Sequence, residues 1–451
     1  MGFSGWYDRM MNLGLVPGVH KYDGVKEFSG HRFHLRVDPQ EKGVLLIDAS
    51  KIVFLNGTAL DLVRCLLEGM TDLEMIAYMN KRYHKTDKRV LIKHYNEIRQ
   101  QLHDAVHGNL NALKMMGSDS PSLGADDLPA PYRMDLALTY QCNNECGHCY
   151  NEESRKGKEE LSLTQWLQVI DKLWDLGIPH VIFTGGEPTL FKGLRDLVIR
   201  SELHGQITGM ITNGRNLSMP GYLKDLVKVG LDHVQITVLS HKETVHDKLA
   251  GCEGAWKETI EGLKVALKED LYVNTNTTIM KSNAPEMEET MRFLIGLGVK
   301  NIAFNAIIRS GKGKEAEALT CEELSPLISK LKSIGDEAGI TLIWYTPTPY
   351  CELNPINMGL GIKQCTACSI NMAIEPDGTV LPCQSCYEPV GNILTDKWDK
   401  IWNHKLCKQI RTRKYIPSKC KDCDMLNVCG AGCPLSLEHG DYMCTDKSGS
   451  T

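Results

Sequence analysis

Short apolar segments alternate with longer amphipathic stretches from residue 133 onward. Three of the amphipathic stretches end at a glycine (Gly177, Gly230 or Gly298), and an apolar segment follows two or three residues later. Helices commonly end at glycine, and a short apolar run is typical of a buried strand, so the repeat predicts alternating helices and strands. The predicted strands are residues 133–139, 180–184, 207–211, 233–239, 271–279 and 300–307, with 341–345 as a seventh.

The order of these elements predicts the fold class. Two of the intervening helices begin with capping boxes, at Ser162 to Gln165 and at Thr320 to Glu323. Six strand–helix units with short connections imply parallel strands and right-handed crossovers. We therefore expect an α/β fold, a full or partial βα barrel over residues 132–346, with its functional site at the carboxyl ends of the strands.

The first 116 residues have a different pattern. Asn56 and a capping box at Thr71 begin the first two of three predicted helices, and the third lies at residues 87–103. Short strands are predicted before them, at residues 32–37, 43–47 and 52–55. Three strands and three helices predict a small winged-helix-like domain at residues 1–116. Residues 117–131 are rich in Gly, Ser, Asp and Pro and predict a linker.

Composition and charge exclude several function classes. The 51 basic and 56 acidic residues give a net charge of −5, which offers no electrostatic support for nucleic-acid binding. No apolar run reaches the ~18–20 residues of a membrane helix, and the amino terminus lacks the layout of a signal peptide. We expect a cytoplasmic protein with no nucleic-acid partner and no membrane partner.

Cysteine usage is uneven and points to metal binding. Of the 17 cysteines, one lies in residues 1–141 and ten lie in residues 365–451. In a reducing cytoplasm such a density favours metal ligation over disulfides. Residues 347–451 are therefore predicted to form a cysteine-rich metal-binding domain.

A cysteine motif follows the first barrel strand directly. Cys142, Cys146 and Cys149 lie within eight residues, and the next cysteine, Cys252, is about a hundred residues further along. Three thiolates can bind one face of an iron–sulfur cube and leave its fourth iron open to a small molecule. A zinc site completed by His148 is the alternative.

This motif, after the first strand of a βα barrel, resembles that of the radical S-adenosylmethionine (SAM) superfamily. The segment from Thr184 to Pro188 (Thr-Gly-Gly-Glu-Pro) resembles the one that binds the methionine amino group of the cofactor. The resemblance implies that Glu187 supplies charge for the ammonium and that the two glycines permit a close backbone approach. It also implies a partial (βα)6 barrel and a first [4Fe–4S] cluster that cleaves SAM, giving a 5′-deoxyadenosyl radical that abstracts a substrate hydrogen.

Further cofactor contacts are implied by the same resemblance. His148 takes the place of an aromatic residue that touches the adenine, and Thr237 lies where members have Ser or Thr near the ribose. The segment after His246 lacks the arginine that some members place near the cofactor carboxylate, so Arg215, Lys248 or Arg309 could replace it. The full predicted set is His148, Tyr150, Gly185, Gly186, Glu187, Pro188, Asn213 and Thr237.

The carboxyl-terminal cysteines could form a zinc ribbon or iron–sulfur sites, and their spacing resembles the SPASM extension of radical SAM enzymes. The resemblance implies two auxiliary [4Fe–4S] clusters, and three clusters in all. Members that mature sulfatases place an aspartate where this chain has Gln384, which counts against that activity. The implied distal ligands are Cys420, Cys423, Cys429 and Cys444, and the implied proximal ligands are Cys365, Cys383 and Cys433 with a fourth from Cys368, which the family pattern favours, or Cys386.

The amino-terminal domain resembles the small peptide-binding protein of pyrroloquinoline quinone biosynthesis, on residues 55–59 and the positions that follow them. Such a domain recognises the leader of a ribosomally made precursor peptide, to which it can offer an exposed strand edge. Residues 81–100 hold seven Lys or Arg against two acidic residues, which could attract an acidic leader. A solvated helix face is the alternative.

Together these features predict a radical SAM/SPASM enzyme that modifies a ribosomally made precursor peptide, by cross-linking or another oxidation. Its expected partners are the precursor, bound through the leader, and an electron donor such as ferredoxin or flavodoxin. Two alternatives remain: a maturase of a small redox cofactor or protein active site, and a non-catalytic metal-binding partner protein. The residues do not specify which bond is formed.

Overall fold

A computed structural model describes residues 16–29, 31–37, 43–47, 51–83, 87–106, 129–152 and 157–438. The chain divides into an amino-terminal unit, which holds the described residues before 107, and a second unit that holds most of the rest. The predicted linker up to residue 128 and the predicted ligand Cys444 lie outside the described residues. Among the helices described, none has both the length and the apolar composition needed to cross a membrane.

The amino-terminal unit is a four-stranded antiparallel sheet with three helices. The predicted strands and helices are confirmed, but the structure adds a first strand, β1, which pairs with β2. It was missed because its sequence, GVHKYD, is more polar than those of the neighbouring strands. The elements are β1 (Gly18–Asp23), β2 (Arg32–Val37), β3 (Gly43–Ile47), β4 (Lys51–Leu55), α1 (Gly57–Leu67), α2 (Asp72–Tyr83) and α3 (Lys88–Val106).

A buried carboxylate joins the first two helices of this unit. Asp61 of α1 is fully buried and accepts hydrogen bonds from the Tyr78 hydroxyl at 2.7 Å and the Tyr83 hydroxyl at 2.6 Å, both on α2. Its second oxygen also forms an ion pair with Arg82. A charge removed from water stays ionised at tolerable cost only when it is paired and hydrogen-bonded. The network therefore fixes α1 against α2.

Replacing Asp61 with Ala should destabilise α1 and α2, because it leaves two hydroxyls and one guanidinium without their acceptor. Breaking a buried pair by removing one partner costs about 3–5 kcal/mol. Hydrogen exchange of the α1 and α2 amides in the full chain measures the change. Glu97→Ala, which removes an exposed partner of Lys93, is the control and should change little. Equal protection in the two variants would contradict the assignment.

The second unit contains a ten-stranded sheet. Its order is β11–β10–β9–β8–β7–β6–β5 followed by β12 (Asn371–Ile374), β13 (Thr379–Leu381) and β14 (Gly391–Asn392). Strands β5 to β11 are the seven predicted ones, now confirmed, and they pair in sequence order with helices between them. Since β5 pairs with β6 and β12 and not with β11, the barrel is partial, as predicted. The strands are β5 (Arg133–Ala137), β6 (His180–Thr184), β7 (Ile207–Thr212), β8 (His233–Thr237), β9 (Tyr272–Ile279), β10 (Asn301–Ala306) and β11 (Thr341–Trp344).

Helices connect these strands, and two of them begin at the predicted caps. Thr320 and Glu323 form a reciprocal capping box, and Ser162 and Gln165 bond in the same way. The helices are α4 (Leu163–Asp175), α5 (Leu194–His204), α6 (Tyr222–Lys228), α7 (Glu243–Ala250), α8 (Ala255–Ala266), α9 (Met287–Gly296) and α10 (Cys321–Glu337).

The cysteine-rich segment continues the barrel sheet. Strand β12 pairs parallel with β5, the strand that leads into the Cys142 motif, and Asn371 lies opposite Arg133. Strands β13 and β14 follow antiparallel. Each of the three is too short to produce a recognisable sequence pattern. The elements are β12 (Asn371–Ile374), β13 (Thr379–Leu381), β14 (Gly391–Asn392), α11 (Trp398–Trp402), α12 (Lys405–Arg411), α13 (Leu426–Cys429) and α14 (Pro434–Glu438).

Candidate functional site

The loop that carries Cys142, Cys146 and Cys149 is held by the end of α7. The amides of Glu145 and Gly147 donate to the carbonyls of Ala250 and Leu249, at 2.8 and 3.3 Å. Gly251 follows with a left-handed φ of 65°, and a Cβ there would lie 2.3 Å from the Glu145 carbonyl oxygen. The α7 terminus therefore sets the position of the loop.

The three thiols of this loop lie close enough to act on one another electrostatically. Burial raises the pKa of Cys142 to about 11 and of Cys146 to about 12, and the neighbouring thiols add to the effect. Thiolates are the ligands of iron–sulfur clusters, so the donor set fits such a group, whose binding would release protons. Among the described residues, no three His, Cys, Asp or Glu side chains are grouped as around a single metal ion.

The two glycines after β6 are required by packing against the start of the cysteine loop. A Cβ on Gly186 would lie 2.1 Å from the Gln141 carbonyl oxygen, and one on Gly185 would lie 2.6 Å from that of Thr139. The amides of Gly186 and Glu187 donate to these same two carbonyls, both at 2.8 Å. The sequence prediction explained the glycines by approach to a ligand, whereas the structure shows an approach of backbone to backbone.

Glu187 is buried, and its carboxylate connects two turns by hydrogen bonds. Its carboxylate accepts hydrogen bonds from the Thr189 and Thr212 hydroxyls, both at 2.7 Å, and from the Asn213 amide at 2.8 Å. Burial raises the pKa of Glu187, and these hydrogen bonds oppose that rise. Asn213 in turn donates to the side chain of Asn143 at 2.6 Å. This hydrogen-bond network therefore extends to the cysteine loop. Pro188 begins the helical turn that follows Glu187.

The three cations considered for a cofactor carboxylate have different surroundings. Arg215 binds Glu258 at 2.5 Å and Asn144 at 2.8 Å, and Arg309 donates to backbone carbonyls at 3.0–3.4 Å. Lys248 lies in the last turn of α7, and its ammonium group forms no hydrogen bond or ion pair within the part of the chain that the structure describes. Of the three cations, Lys248 is therefore the one whose ammonium has no anionic partner among the described residues.

His148 presents an unsatisfied nitrogen beside the cysteines. Burial lowers its pKa to about 4, so the ring is neutral at pH 7. Its Nδ1 atom is buried and lacks a hydrogen-bond partner among the residues that the structure describes. A buried ring nitrogen of this kind fits a site that receives a polar ligand, since orphaned polar atoms are rare in proteins. Thr237, which was predicted to lie near the ribose, ends β8 and is half-buried.

Hydrogen bonds join the cysteine loop to the carboxyl-terminal region. The Tyr150 hydroxyl donates to the Gln384 side chain at 3.3 Å, and the Tyr387 hydroxyl donates to Asn151 at 3.3 Å. Asn151 also donates to the Gly185 carbonyl at 3.1 Å. The residues just after Cys149 therefore contact both the Gly-Gly turn and the turn that follows β13.

The carboxyl-terminal cysteines separate into groups. The Cys365, Cys383, Cys386 and Cys433 thiols act electrostatically on one another, with burial the main cause of the raised pKa of Cys365 (about 12) and Cys383. Cys368 lies against Cys407, and the Cys383 thiol also acts on it electrostatically. In the distal group, Cys423 donates its amide to the Cys420 carbonyl at 3.3 Å, and the Cys429 sulfur accepts from the Tyr350 amide at 3.3 Å.

Polar contacts between side chains of the barrel strands were not anticipated from the sequence. Asn274 donates to Gln235 and Tyr345 at 3.3 and 3.2 Å, and the buried Asp135 forms an ion pair with Arg133 at 2.9 Å. Barrel interiors of this class are usually filled by branched apolar side chains. The available signal was the sequence of β9, YVNTNTTI, which places Asn at alternate positions of a buried strand.

Comparison with known families identifies both parts of the second unit. Residues 136–294 match the model of the radical SAM superfamily, and residues 337–424 match SPASM, an iron–sulfur cluster-binding domain. The chain therefore contains a radical SAM domain followed by a SPASM domain. These domains are those of a radical SAM enzyme, and they imply SAM and iron–sulfur clusters as cofactors.

Relatives and solved structures extend this likeness over most of the chain. A PqqA peptide cyclase of Ruegeria pomeroyi is 26% identical over 73% of this chain and 89% of its own length. The sporulation killing factor maturation protein SkfB of Bacillus subtilis is 26% identical over 84% and 90%. SuiB of Streptococcus suis, solved with the precursor peptide SuiA, has a TM-score of 0.66 at 16% identity and covers 93% of this chain and 97% of its own.

Two glycines near the end of α7 provide a test of the loop geometry. Gly251→Ala should reduce the iron bound by the first cysteine motif, because its Cβ would displace the Glu145 carbonyl. Gly254→Ala is the matched control: its φ of 78° is also left-handed, but nothing lies within 4 Å of an added Cβ. The control should lose only the ~1–2 kcal/mol of a left-handed L-residue. Iron per chain after anaerobic reconstitution measures the difference, and equal iron would contradict the prediction.

Proposed function

We propose that the protein generates a 5′-deoxyadenosyl radical from SAM and uses it to modify a ribosomally made precursor peptide, by cross-linking or another oxidation. The observation that carries this proposal is the cysteine loop, which is joined by hydrogen bonds to the turns after β6 and β7 and to the turn after β13. The substrate class is supported by relatives named as a PqqA peptide cyclase and as a sporulation killing factor maturation protein.

The residues of the first site have distinct proposed roles. Cys142, Cys146 and Cys149 hold the cluster, which supplies the electron for SAM cleavage when it is bound. Neutral His148 donates or accepts a hydrogen bond at the adenine through its buried ring nitrogen. Lys248 pairs with the cofactor carboxylate. The remaining proposed contacts, Tyr150, Gly185, Gly186, Glu187, Pro188, Asn213 and Thr237, shape the surrounding pocket.

Two auxiliary clusters complete the proposed set of three. Cys365, Cys383 and Cys433 hold the proximal one with a fourth thiolate, and Cys420, Cys423, Cys429 and Cys444 hold the distal one. A cluster with four protein thiolates has no iron free for SAM, so its task in this proposal is to accept the electron left after substrate oxidation. A ferredoxin or flavodoxin supplies the first electron.

The amino-terminal unit is proposed to bind the leader of the precursor. The edge strands of its sheet are β1 and β4. An extended peptide can add to an edge strand through backbone hydrogen bonds. Lys88, Arg89 and Lys93 of α3 are exposed, so they could attract acidic leader residues. Charge reversal on α3 distinguishes leader binding from a merely solvated helix face.

Two cysteine variants separate the proposed clusters. Cys146→Ala should abolish 5′-deoxyadenosine production, because the first cluster loses a ligand. Cys429→Ala should retain some 5′-deoxyadenosine production but stop peptide modification. Cys321→Ala, at the start of α10 and outside every proposed ligand set, is the control and should retain both. Circular dichroism must first show that each variant folds. Normal modified product from Cys429→Ala would show that the distal cluster does not carry the electron.

Charge reversal on α3 tests recruitment of the leader. Lys88→Glu, Arg89→Glu and Lys93→Glu combined should weaken precursor binding at least about tenfold at low salt, with a smaller loss at high salt because surface charges are screened. The dissociation constant for the full precursor measures the effect. Lys224→Glu, an exposed lysine of α6, is the control. An unchanged constant in the triple variant would favour the solvated helix face.

A further inference from the structure

Four carboxyl-terminal cysteines are brought together from three segments of the chain. Cys365 precedes β12, Cys383 and Cys386 lie in the turn after β13, and Cys433 precedes α14. The Cys386 amide donates to the Cys383 carbonyl at 3.2 Å, so these two cysteines lie one turn apart.

The Cys368 side chain contacts a different cysteine, Cys407. Its sulfur lies 2.6 Å from the Cys407 sulfur, and both side chains are completely buried. Arg411, on the same helix as Cys407, donates to the Cys368 carbonyl at 3.0 Å and to that of Trp402 at 2.8 Å. The guanidinium also lies 4.4 Å from the centre of the Trp402 ring. Cys368 is thus packed against α11 and α12.

The backbone of Cys368 is fixed as well. Its amide donates to the Asn371 and Pro382 carbonyls at 3.1 and 3.2 Å, and its φ of 54° is left-handed, which is unusual for a residue with a side chain. Backbone in such a conformation persists only where its surroundings fix it. The Cys368 backbone is therefore held beside Asn371 and Pro382.

We infer that Cys386, and not Cys368, supplies the fourth thiolate of the proximal auxiliary cluster, and that Cys368 and Cys407 form a separate buried thiol pair. This departs from the ligand that the family pattern favours, and it rests on the proposed presence of a proximal cluster. Cys365, Cys383, Cys386 and Cys433 are four thiols, the number that a closed four-iron cube requires. Cys368 is influenced by Cys383 as well, but its sulfur contacts Cys407.

The assignment places a ligand turn in direct contact with the first site. Gln384 lies between Cys383 and Cys386, and Tyr387 follows Cys386. Their partners, Tyr150 and Asn151, follow Cys149 directly. The turn that holds the proximal cluster is therefore joined by two hydrogen bonds to the loop that holds the first.

Iron content in the full chain tests the assignment. Cys142, Cys146 and Cys149 are replaced by Ala in every sample, so that only auxiliary iron is counted. In this background Cys386→Ala should lose as much iron as Cys383→Ala after anaerobic reconstitution. Both variants should also lose the same signal from the electron paramagnetic resonance spectrum of the reduced protein. Cys368→Ala and Cys407→Ala are the matched controls and should keep the parent iron and spectrum.

The outcomes are distinguishable. Iron loss in Cys368→Ala with retention in Cys386→Ala would overturn the inference, and so would retention in both. Retention in Cys383→Ala would show instead that the proposed proximal cluster is wrong. If Cys386→Ala fails to fold, Cys386→Ser provides a near-isosteric replacement. It should alter the auxiliary spectrum while circular dichroism stays unchanged, and an unaltered spectrum would overturn the assignment.

Discussion

The hydrogen bonding of the buried Glu187 carboxylate is the interaction on which the geometry of the first site depends. A buried carboxyl group is stable only when hydrogen-bond donors replace its hydration. For Glu187 the donors are Thr189, in the turn after β6, and Thr212 and Asn213, at the end of β7. The hydrogen bonding of one buried group thus fixes these two regions relative to each other. Because Asn213 also bonds Asn143, the constraint extends to the cysteine loop.

Continuity of the sheet extends this constraint to the SPASM domain. Pairing of β12 with β5 makes the cysteine-rich segment part of the barrel sheet, so the auxiliary site is held by backbone hydrogen bonds as well as by side chains. The contacts of Tyr150 with Gln384 and of Asn151 with Tyr387 add a second connection. An enzyme that moves an electron away from an oxidised substrate gains from such a fixed arrangement, because preorganised groups need no rearrangement during reaction.

Local patterns in the sequence were sufficient to predict the barrel strands and the capped helices. These features depend on residues close together in the chain, as the capping box of Thr320 and Glu323 shows. What could not be predicted depends on tertiary contacts. The role of Gly186 requires knowledge that Gln141 packs against it, and the pairing of Cys368 with Cys407 joins residues 39 positions apart. The short strands β12 to β14 are formed by pairing and not by pattern.

The central claim is that a radical formed at the first site removes a hydrogen atom from a precursor peptide. The most direct measurement uses a precursor with deuterium at its carbon-bound positions, incubated anaerobically with the enzyme, SAM and a reductant. Mass spectrometry should show deuterium in the 5′-deoxyadenosine and a matching loss of mass from the peptide. Deuterium-free 5′-deoxyadenosine with an unchanged peptide, under conditions where the precursor binds, would contradict the account.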